Sequence, residues 1–294
     1  MRQSLERYDR CYLTELFTEP LEPDDIESVD SVFQAAYGVS GSREVALRRM
    51  CHLAPDGAFV AKSEGEIIGL ISTINYLKFG YIGMLGVLPK ARGKGAGQAL
   101  MRRSVNWLLQ QGIRAVLLDA TDLGKPLYTK MGFAPRGETQ FWQRLKETKG
   151  PGFPTGARLW RPGDNLRLAS LDASIFGGDR VGLLSHFRNA YPERSFVSFD
   201  NEGNITGFMV VQEKMLGPWC AASPEGAASL LEAALTLKFD GQACVIIPVE
   251  NAEGIQLLKR SGFILKRSCE HMSLGPEVSR QLGKLYGQAS FALG

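Results

Sequence analysis

The 294-residue sequence has no long apolar run, only three histidines and no paired cysteines. No stretch approaches the roughly 20 consecutive apolar residues of a membrane-spanning helix, and the charged first residues lack the apolar run of a secretory signal. The five cysteines are widely spaced and never form a C-x-x-C pair, which disfavours both a zinc site and a disulfide framework. These absences predict a cytoplasmic protein with no membrane contact, no metal and reduced thiols.

A strong charge of either sign is also missing, since the formal net charge is only +3 at pH 7. The basic stripe interleaved with aromatic residues that is typical of nucleic-acid binding is not found, so no nucleic-acid partner is predicted. Locally, however, acidic residues are absent between Glu66 and Asp119, a segment that holds seven cations. This segment is either a solvated positive face or a site for an anion.

The length of the chain predicts two domains of about 100 to 200 residues each. Residues 147–157, ETKGPGFPTGA, contain three glycines and two prolines, which is typical of a linker. We therefore predict one domain over residues 1–148 and a second over residues 155–294.

The first half alternates patterns that are typical of helices and of strands. Amphipathic helices are predicted near 23–37, 41–53 and 96–111, with a short helix ending at Met131, and strands over 57–63, 66–76, 79–87, 115–120 and from Phe133 onward. This order predicts a mixed α/β fold in which a helix follows a strand directly.

The second half repeats part of the first. TDLGKPLYTKMGF at 121–133 aligns without gaps on NAEGIQLLKRSGF at 251–263, and GEIIGL at 65–70 aligns on GNITGF at 203–208. Two blocks in the same order favour a duplicated fold. The glycine-rich segment between the first-half blocks is shortened in the second half and has lost its cations.

That glycine-rich segment, GVLPKARGKGAGQALMRRS at 86–104, contains four glycines and five cations. A strand that turns directly into a helix leaves unpaired N–H groups at the positive end of the helix dipole, and glycines let an anion approach them closely. A nucleotide-triphosphate loop would need glycine in place of Leu88 and a hydroxyl in place of Gly95. A dinucleotide loop starting at Gly93 would need glycine in place of Gln98, so a nicotinamide-dependent enzyme stays open as an alternative.

The pattern V-x-P-x-x-R-G-x-G-x-G from Val87 to Gly97, together with LYTKMGF at 127–133, resembles the GNAT superfamily of N-acetyltransferases across residues 11–147. The resemblance implies two tandem GNAT-like domains of α/β (α+β) class, each with a mixed, mostly antiparallel central sheet flanked by helices. It also implies direct transfer of an acetyl group from acetyl-CoA to a small-molecule or peptide amine, in a ternary complex.

The resemblance assigns roles to residues of the first half. The backbone of Leu85, Gly86 and Val87 would pair with the pantetheine arm and the acetyl carbonyl. The loop from Arg92 to Gly97 would take the diphosphate, and Tyr128 would act as general acid toward the leaving thiolate. The full set expected to bind the cofactor is Leu85, Gly86, Val87, Arg92, Gly93, Lys94, Gly95, Ala96, Gly97, Gln98, Thr121, Lys125 and Tyr128.

The chain also departs from the family pattern. Thr121 stands where an asparagine is frequent, and the strand before the loop lacks a glutamate base. Asp119 is a candidate base, with a structural role as the alternative, and His52 is a second candidate. No cysteine is near the loop or Tyr128 in sequence, which disfavours a cysteine relay.

In the second half, Leu258 replaces the tyrosine and the loop is shortened. We therefore expect a degenerate second domain that either lines the substrate cleft or forms a homodimer contact. A non-catalytic acyl-CoA sensor is the alternative function that this leaves open.

Overall fold

A computed structural model of the protein describes residues 16–145 and 154–294. Most of the predicted linker lies outside the described residues, so the domain boundary between 148 and 155 stays a prediction. In the described part of the chain, no helix is long and apolar enough to cross a membrane.

The first half follows the element order that the sequence predicts, with one added edge strand. In chain order its elements are β1 (Leu16–Pro20), α1 (Ile26–Tyr37), α2 (Glu44–Leu53), β2 (Ala58–Ser63), β3 (Glu66–Asn75), β4 (Gly80–Val87), α3 (Ala96–Gln110), β5 (Val116–Ala120), α4 (Lys125–Lys130) and β6 (Ala134–Arg144). β1 was not predicted because its five residues, LFTEP, include a glutamate and a proline and stay half-exposed at the sheet edge.

The second half repeats this order, as the aligned blocks predict. Its elements are β7 (Ala157–Leu159), α5 (Asn165–Phe176), α6 (Val181–Ala190), β8 (Ser195–Phe199), β9 (Ile205–Val211), β10 (Leu216–Ala221), α7 (Pro224–Leu235), β11 (Cys244–Pro248), α8 (Ala252–Arg260), β12 (Phe263–Leu274) and β13 (Leu285–Gly287).

The strands form an eight-stranded sheet in the order β1-β2-β3-β4-β5-β12-β6-β11 and a five-stranded sheet in the order β13-β10-β9-β8-β7. The predicted fold class is confirmed, since both sheets are mostly antiparallel and flanked by helices. The sheets, however, are not divided one to each half. β12 of the second half lies between β5 and β6 of the first, and β11 pairs with the other edge of β6.

This exchange is reciprocal, because β6 and β12 are equivalent strands of the two copies. They pair antiparallel along nearly their whole length, from Phe263 opposite Arg144 to Ser273 opposite Ala134. Each copy therefore uses the other's strand to complete its sheet. The ladder of hydrogen bonds between β6 and β12 joins the two halves into one sheet.

Side chains that alternate along the strands of the large sheet separate two layers of core. On one face Ala58 and Val60 of β2 pack with residues of α1 and α2. On the other face Phe59 and Ala61 pack with α3, whose Met101 and Leu108 are fully buried, as expected for the apolar side of the amphipathic helix predicted near 96–111. The candidate site lies at the end of the sheet near the carboxyl end of β4.

Candidate functional site

β4 and β5 diverge soon after they begin. They pair in parallel only from Gly80 opposite Val116 to Ile82 opposite Leu118, while β4 stays paired with β3 as far as Val87. The β3–β4 register shifts next to Met84, whose φ of 52° marks a bulge. We call the V-shaped opening between residues 83–87 of β4 and the end of β5 the cleft.

The glycine-rich loop lies where β4 ends. A short turn over Pro89–Ala91 leads to Gly93 and Gly95, which have φ angles of 77° and 90°, and Gly95 caps the 15-residue helix α3. These left-handed conformations favour glycine. A Cβ built on either glycine meets no atom within 4 Å, so the space above the loop is open to a ligand. The first N–H groups of α3 and the open loop fit the diphosphate of CoA.

The other predicted loop residues have different surroundings. The Arg92 guanidinium donates hydrogen bonds to the carbonyls of Ala36, at 2.6 Å, and Val87, at 3.3 Å, and so fastens the end of α1 to β4. Lys94 is exposed, and Ala96 is buried. Gly97 allows close approach of α4, since a Cβ there would lie 3.3 Å from Leu127 Cδ2.

Tyr128 is a buried residue of α4, 8% exposed, and its ring packs near Phe133. Burial raises the pKa of Tyr128 well above its ordinary value, and the nearby Tyr37 and Cys269 act in the same direction. The hydroxyl is therefore protonated at neutral pH, which is the form that a general acid needs.

Tyr37, the last residue of α1, was missed by the sequence analysis. Its hydroxyl donates a 2.8 Å hydrogen bond to the carbonyl of Leu85 in the wall of the cleft. The residue is 41% exposed, but its hydroxyl lies against the backbone of β4, and the loss of water there raises the pKa of Tyr37 to about 12. The only signal in the sequence was an aromatic residue at the end of an amphipathic helix, which ordinary packing also explains.

Asp119 lies on β5 where the two strands separate, and its side chain is fully buried. Its carboxylate accepts hydrogen bonds from Tyr81 at 2.6 Å, from Thr139 at 2.7 Å and from His271 Nδ1 at 2.9 Å. Burial alone would raise the pKa of Asp119, but these hydrogen bonds and the nearby His271 hold it below its ordinary value. Asp119 is thus an anchored carboxylate.

His271 reaches Asp119 from the second half through β12. Arg280 Nη1 lies 3.4 Å from His271 Nε2, and because a guanidinium can only donate, Nε2 is the acceptor. The imidazole proton is then on Nδ1, facing Asp119. His52, the other candidate base, instead contacts His186 of α6 in a tilted arrangement, with ring centroids 5.2 Å apart.

The strand exchange also brings Cys269 to the cleft. This buried residue of β12 is close enough to contribute to the raised pKa of Tyr128. Burial raises the pKa of the Cys269 thiol to about 11, so it is protonated at neutral pH. Distance along the sequence was a poor guide to which cysteine lies near Tyr128, because the two residues come from different copies.

Thr121 and Lys125 lie at the start of α4. Thr121 Oγ1 accepts a 3.4 Å hydrogen bond from the N–H of Gly124. The Lys125 ammonium is partly exposed and lies 2.8 Å from Glu270 of β12. The binding roles predicted for both residues stay predictions.

In the second half, the gap that corresponds to the cleft contains a strand of the chain itself. β13 pairs with β10 through Trp219 opposite Gly287, and the N–H of Gln288 donates to the carbonyl of Ile246 in β11. Asn251 caps α8 and donates a 3.1 Å hydrogen bond to the carbonyl of Leu285. In the second copy, the backbone of β13 thus occupies the space between β10 and β11 that corresponds to the open cleft between β4 and β5 in the first.

The described ranges contain no group of three or more His, Cys, Asp or Glu side chains that could hold a metal ion. The mostly antiparallel sheet also differs from the parallel doubly wound sheet that binds dinucleotides. The nicotinamide-dependent alternative therefore gains no support from the fold.

Comparison with known families agrees with this geometry. The model described as "Acetyltransferase (GNAT) family" matches residues 13–133, and the model described as "Acetyltransferase (GNAT) domain" matches residues 168–287. Together they span most of the chain. The chain therefore belongs to the GNAT acetyltransferase family and contains two tandem GNAT domains.

Solved structures share the arrangement over nearly the whole length. A Pyrococcus horikoshii protein provisionally classed as an acetyltransferase is 26% identical, with a TM-score of 0.84, and the match covers 98% of this chain and 99% of that one. A GCN5-related N-acetyltransferase from Sphaerobacter thermophilus is 17% identical, with a TM-score of 0.68 and coverage of 90% and 98%. No curated protein matches the chain.

Proposed function

We propose that this protein is an N-acetyltransferase that transfers the acetyl group of acetyl-CoA directly to a primary amine, using one site in its first half. The observation that carries the proposal is that three features adjoin one another: the cleft, the open glycine loop where β4 ends, and the buried Tyr128, which acts electrostatically with Tyr37 in the cleft wall.

Acetyl-CoA would supply the activated thioester, whose carbonyl carbon the amine attacks. The N–H groups from Gly93 to Gly97 would hold its diphosphate, with the positive end of the α3 dipole adding to the attraction. The N–H of Arg92, also predicted for this role, instead donates to the carbonyl of Pro89 at 3.3 Å. The edge of β4 at Leu85 to Val87, which is no longer paired with β5, would align the pantetheine arm, and its N–H groups would polarise the acetyl carbonyl. Holding the amine and the thioester in line would supply much of the rate enhancement.

Tyr128 would hold a proton at Oη for the departing thiolate. Its raised pKa keeps that proton in place across the neutral range. A thiol with a pKa near 8.5 is a good leaving group, so the acid contributes at the low end of the usual range, about 100-fold.

Asp119 fits a positioning role better than that of a direct base. A carboxylate that already accepts three hydrogen bonds, and whose pKa is lowered, attracts a further proton weakly. We propose that Asp119 orients His271 and Tyr81 at the point of the cleft where β4 and β5 separate. Asp119 would then act on the acceptor amine only through His271.

The experiment is a thiol-release assay with acetyl-CoA and a panel of primary amines, run on the wild-type protein and on Tyr128→Phe. We expect kcat to fall about 100-fold while the Kd for CoA, measured by calorimetry, changes less than twofold. Tyr191→Phe is the control, because that hydroxyl binds Glu213 in the second half. An unchanged kcat would remove Tyr128 from the mechanism, and CoA binding without thiol release from any amine would favour the sensor alternative.

A further inference from the structure

The second half contributes a cation to the mouth of the cleft. The last pair between β12 and β5 is Glu270 opposite Ala120, so the first part of β12 extends beyond β5 and is paired on the β6 side. Between residues 267 and 271 the register on β6 is regular. Arg267, Cys269 and His271 therefore point to the same face of the sheet, the face on which Asp119 and Tyr81 meet.

The Arg267 guanidinium is held by two aromatic rings. Its Cζ lies 4.6 Å from the ring centroid of Phe291 and 5.6 Å from that of Phe141, and the two centroids are 6.4 Å apart. Cation–π contact fixes the position of the group without neutralising its charge. Arg267 is nevertheless exposed to solvent, so the outer face of the guanidinium is available to a ligand.

The charge of Arg267 is not balanced by a neighbouring acid in the part of the chain that the structure describes, where no carboxylate lies within 4.0 Å of it. Of the acids near this part of the sheet, Asp119 is engaged by its three donors and Glu270 by Lys125, while Asp122, which also acts on Cys269, is exposed to solvent. The positive charge is felt across the cleft, since Arg267 opposes the rise in the pKa of Tyr37. Arg267 therefore places a positive charge at the mouth of the cleft.

We propose, on the basis of the function proposed above, that Arg267 binds an anionic group of the acceptor, so that the substrates are primary amines that also carry a carboxylate or a phosphate. The planar fork of a guanidinium matches either group with two parallel hydrogen bonds. Polyamines and other purely cationic amines are disfavoured by the same charge. The specificity of the first-half site is thus determined by a residue of the second half.

The test compares acceptors in matched pairs that differ only in the anion. Each common L-amino acid is offered beside its carboxamide, and phosphoethanolamine is offered beside ethanolamine, with spermidine as a cationic amine. For wild type we expect kcat/KM to favour the anionic member of the best pair by about 10- to 100-fold. The amino acid and phosphoethanolamine arms distinguish carboxylate from phosphate.

Three variants locate the effect. Arg267→Gln should abolish the preference for the anionic member and leave the Kd for CoA unchanged, and Arg267→Lys should restore part of it. Arg260→Gln is the matched control, because Arg260 is an exposed arginine on α8 of the same half. The inference is overturned if wild type prefers the carboxamides or spermidine, or if Arg267→Gln keeps the preference for the anionic member.

A binding measurement separates this inference from the proposed reaction. Calorimetry on the CoA-loaded protein compares N-acetylglycine and N-acetylphenylalanine with their carboxamides. Binding of the acids that is lost in Arg267→Gln supports the anion site even if no amine releases thiol, an outcome that would refute only the acetyl transfer. Equal binding of acids and carboxamides by wild type refutes the anion site even if thiol is released.

Discussion

Replacing Asp119 should destabilise the whole protein, because this carboxylate joins strands from both halves. Tyr81 is on β4, Thr139 is on β6 and His271 is on β12, and all three donate to the Asp119 oxygens. Asp119→Ala removes the acceptor of three donors at once. A buried donor left without a partner costs about 1 to 3 kcal/mol, so we expect unfolding to become easier by roughly 3 to 6 kcal/mol, since His271 is 10% exposed and recovers part of its loss from water.

Asp119→Asn should be much milder. The remaining amide oxygen can accept from Thr139 and His271, and the new NH₂ group can donate to the Tyr81 hydroxyl, which then acts as acceptor. What is lost is the charge, and we expect a cost of about 1 to 2 kcal/mol at pH 7. The difference between the alanine and asparagine variants therefore measures the unpaired donors separately from the charge.

The pH dependence has a definite sign. The pKa of Asp119 is lower in the folded protein than its ordinary value, so the charge adds stability above the unfolded pKa of about 3.9, and that stability is lost as pH falls through the folded pKa. The gap between wild type and Asp119→Asn should be widest near neutral pH and should shrink at acid pH.

Urea unfolding followed by circular dichroism at several pH values measures these differences, with the surface variant Asp24→Ala as control. If Asp119→Ala and Asp119→Asn were both to cost less than 1 kcal/mol, the three hydrogen bonds would not connect the strands as described. A gap between wild type and Asp119→Asn that widens toward acid pH would contradict the lowered pKa.

Two further predictions concern the loop and the strand exchange. Gly95→Ala should weaken CoA binding at least 10-fold by calorimetry, because alanine at φ 90° costs about 1 to 2 kcal/mol and its methyl group enters the open space above the loop. Gly163→Ala is the control and should leave CoA binding unchanged, because Gly163 is also in open space but has an ordinary φ. Unchanged affinity in Gly95→Ala would place the diphosphate elsewhere. A chain cut at a protease site introduced within residues 146–153 should run as one species in gel filtration, because β6 stays paired with β12 and β11; two separate halves would contradict the exchange.

Much of the fold was readable from local pattern. The amphipathic stripe of α3 and the alternating strands β2 to β5 depend on nearby residues only, and they lie where the sequence predicts them. The loop glycines were predictable for the same reason, since a turn that needs positive φ selects glycine locally. Element order and the position of the loop were therefore accessible without a structure.

The partners of the site were not accessible in this way. His271, Cys269 and Arg267 reach the cleft because β12 inserts between β5 and β6, and a strand's hydrophobic pattern does not specify which neighbour it pairs with. A sequence analysis that treats the two copies as separate sheets places those residues in a second-half sheet and away from the cleft. The loss of the second-half opening was likewise hidden, because β13 is only three residues long.

The same exchange gives the second copy a physical role. It completes the first sheet with β12 and it fills its own gap with β13. The duplicated fold has thus kept its packing and changed what its opening contains. Retention of a copy that has neither the loop nor the tyrosine follows from this dependence.

The most direct measurement is a crystal structure of the complex with CoA. We predict one CoA per chain, with diphosphate oxygens accepting hydrogen bonds from the N–H groups of residues 93 to 97 and the pantetheine arm lying in the cleft between β4 and β5. A diphosphate bound away from those N–H groups, or a pantetheine arm that displaces β13 between β10 and β11, would contradict the account.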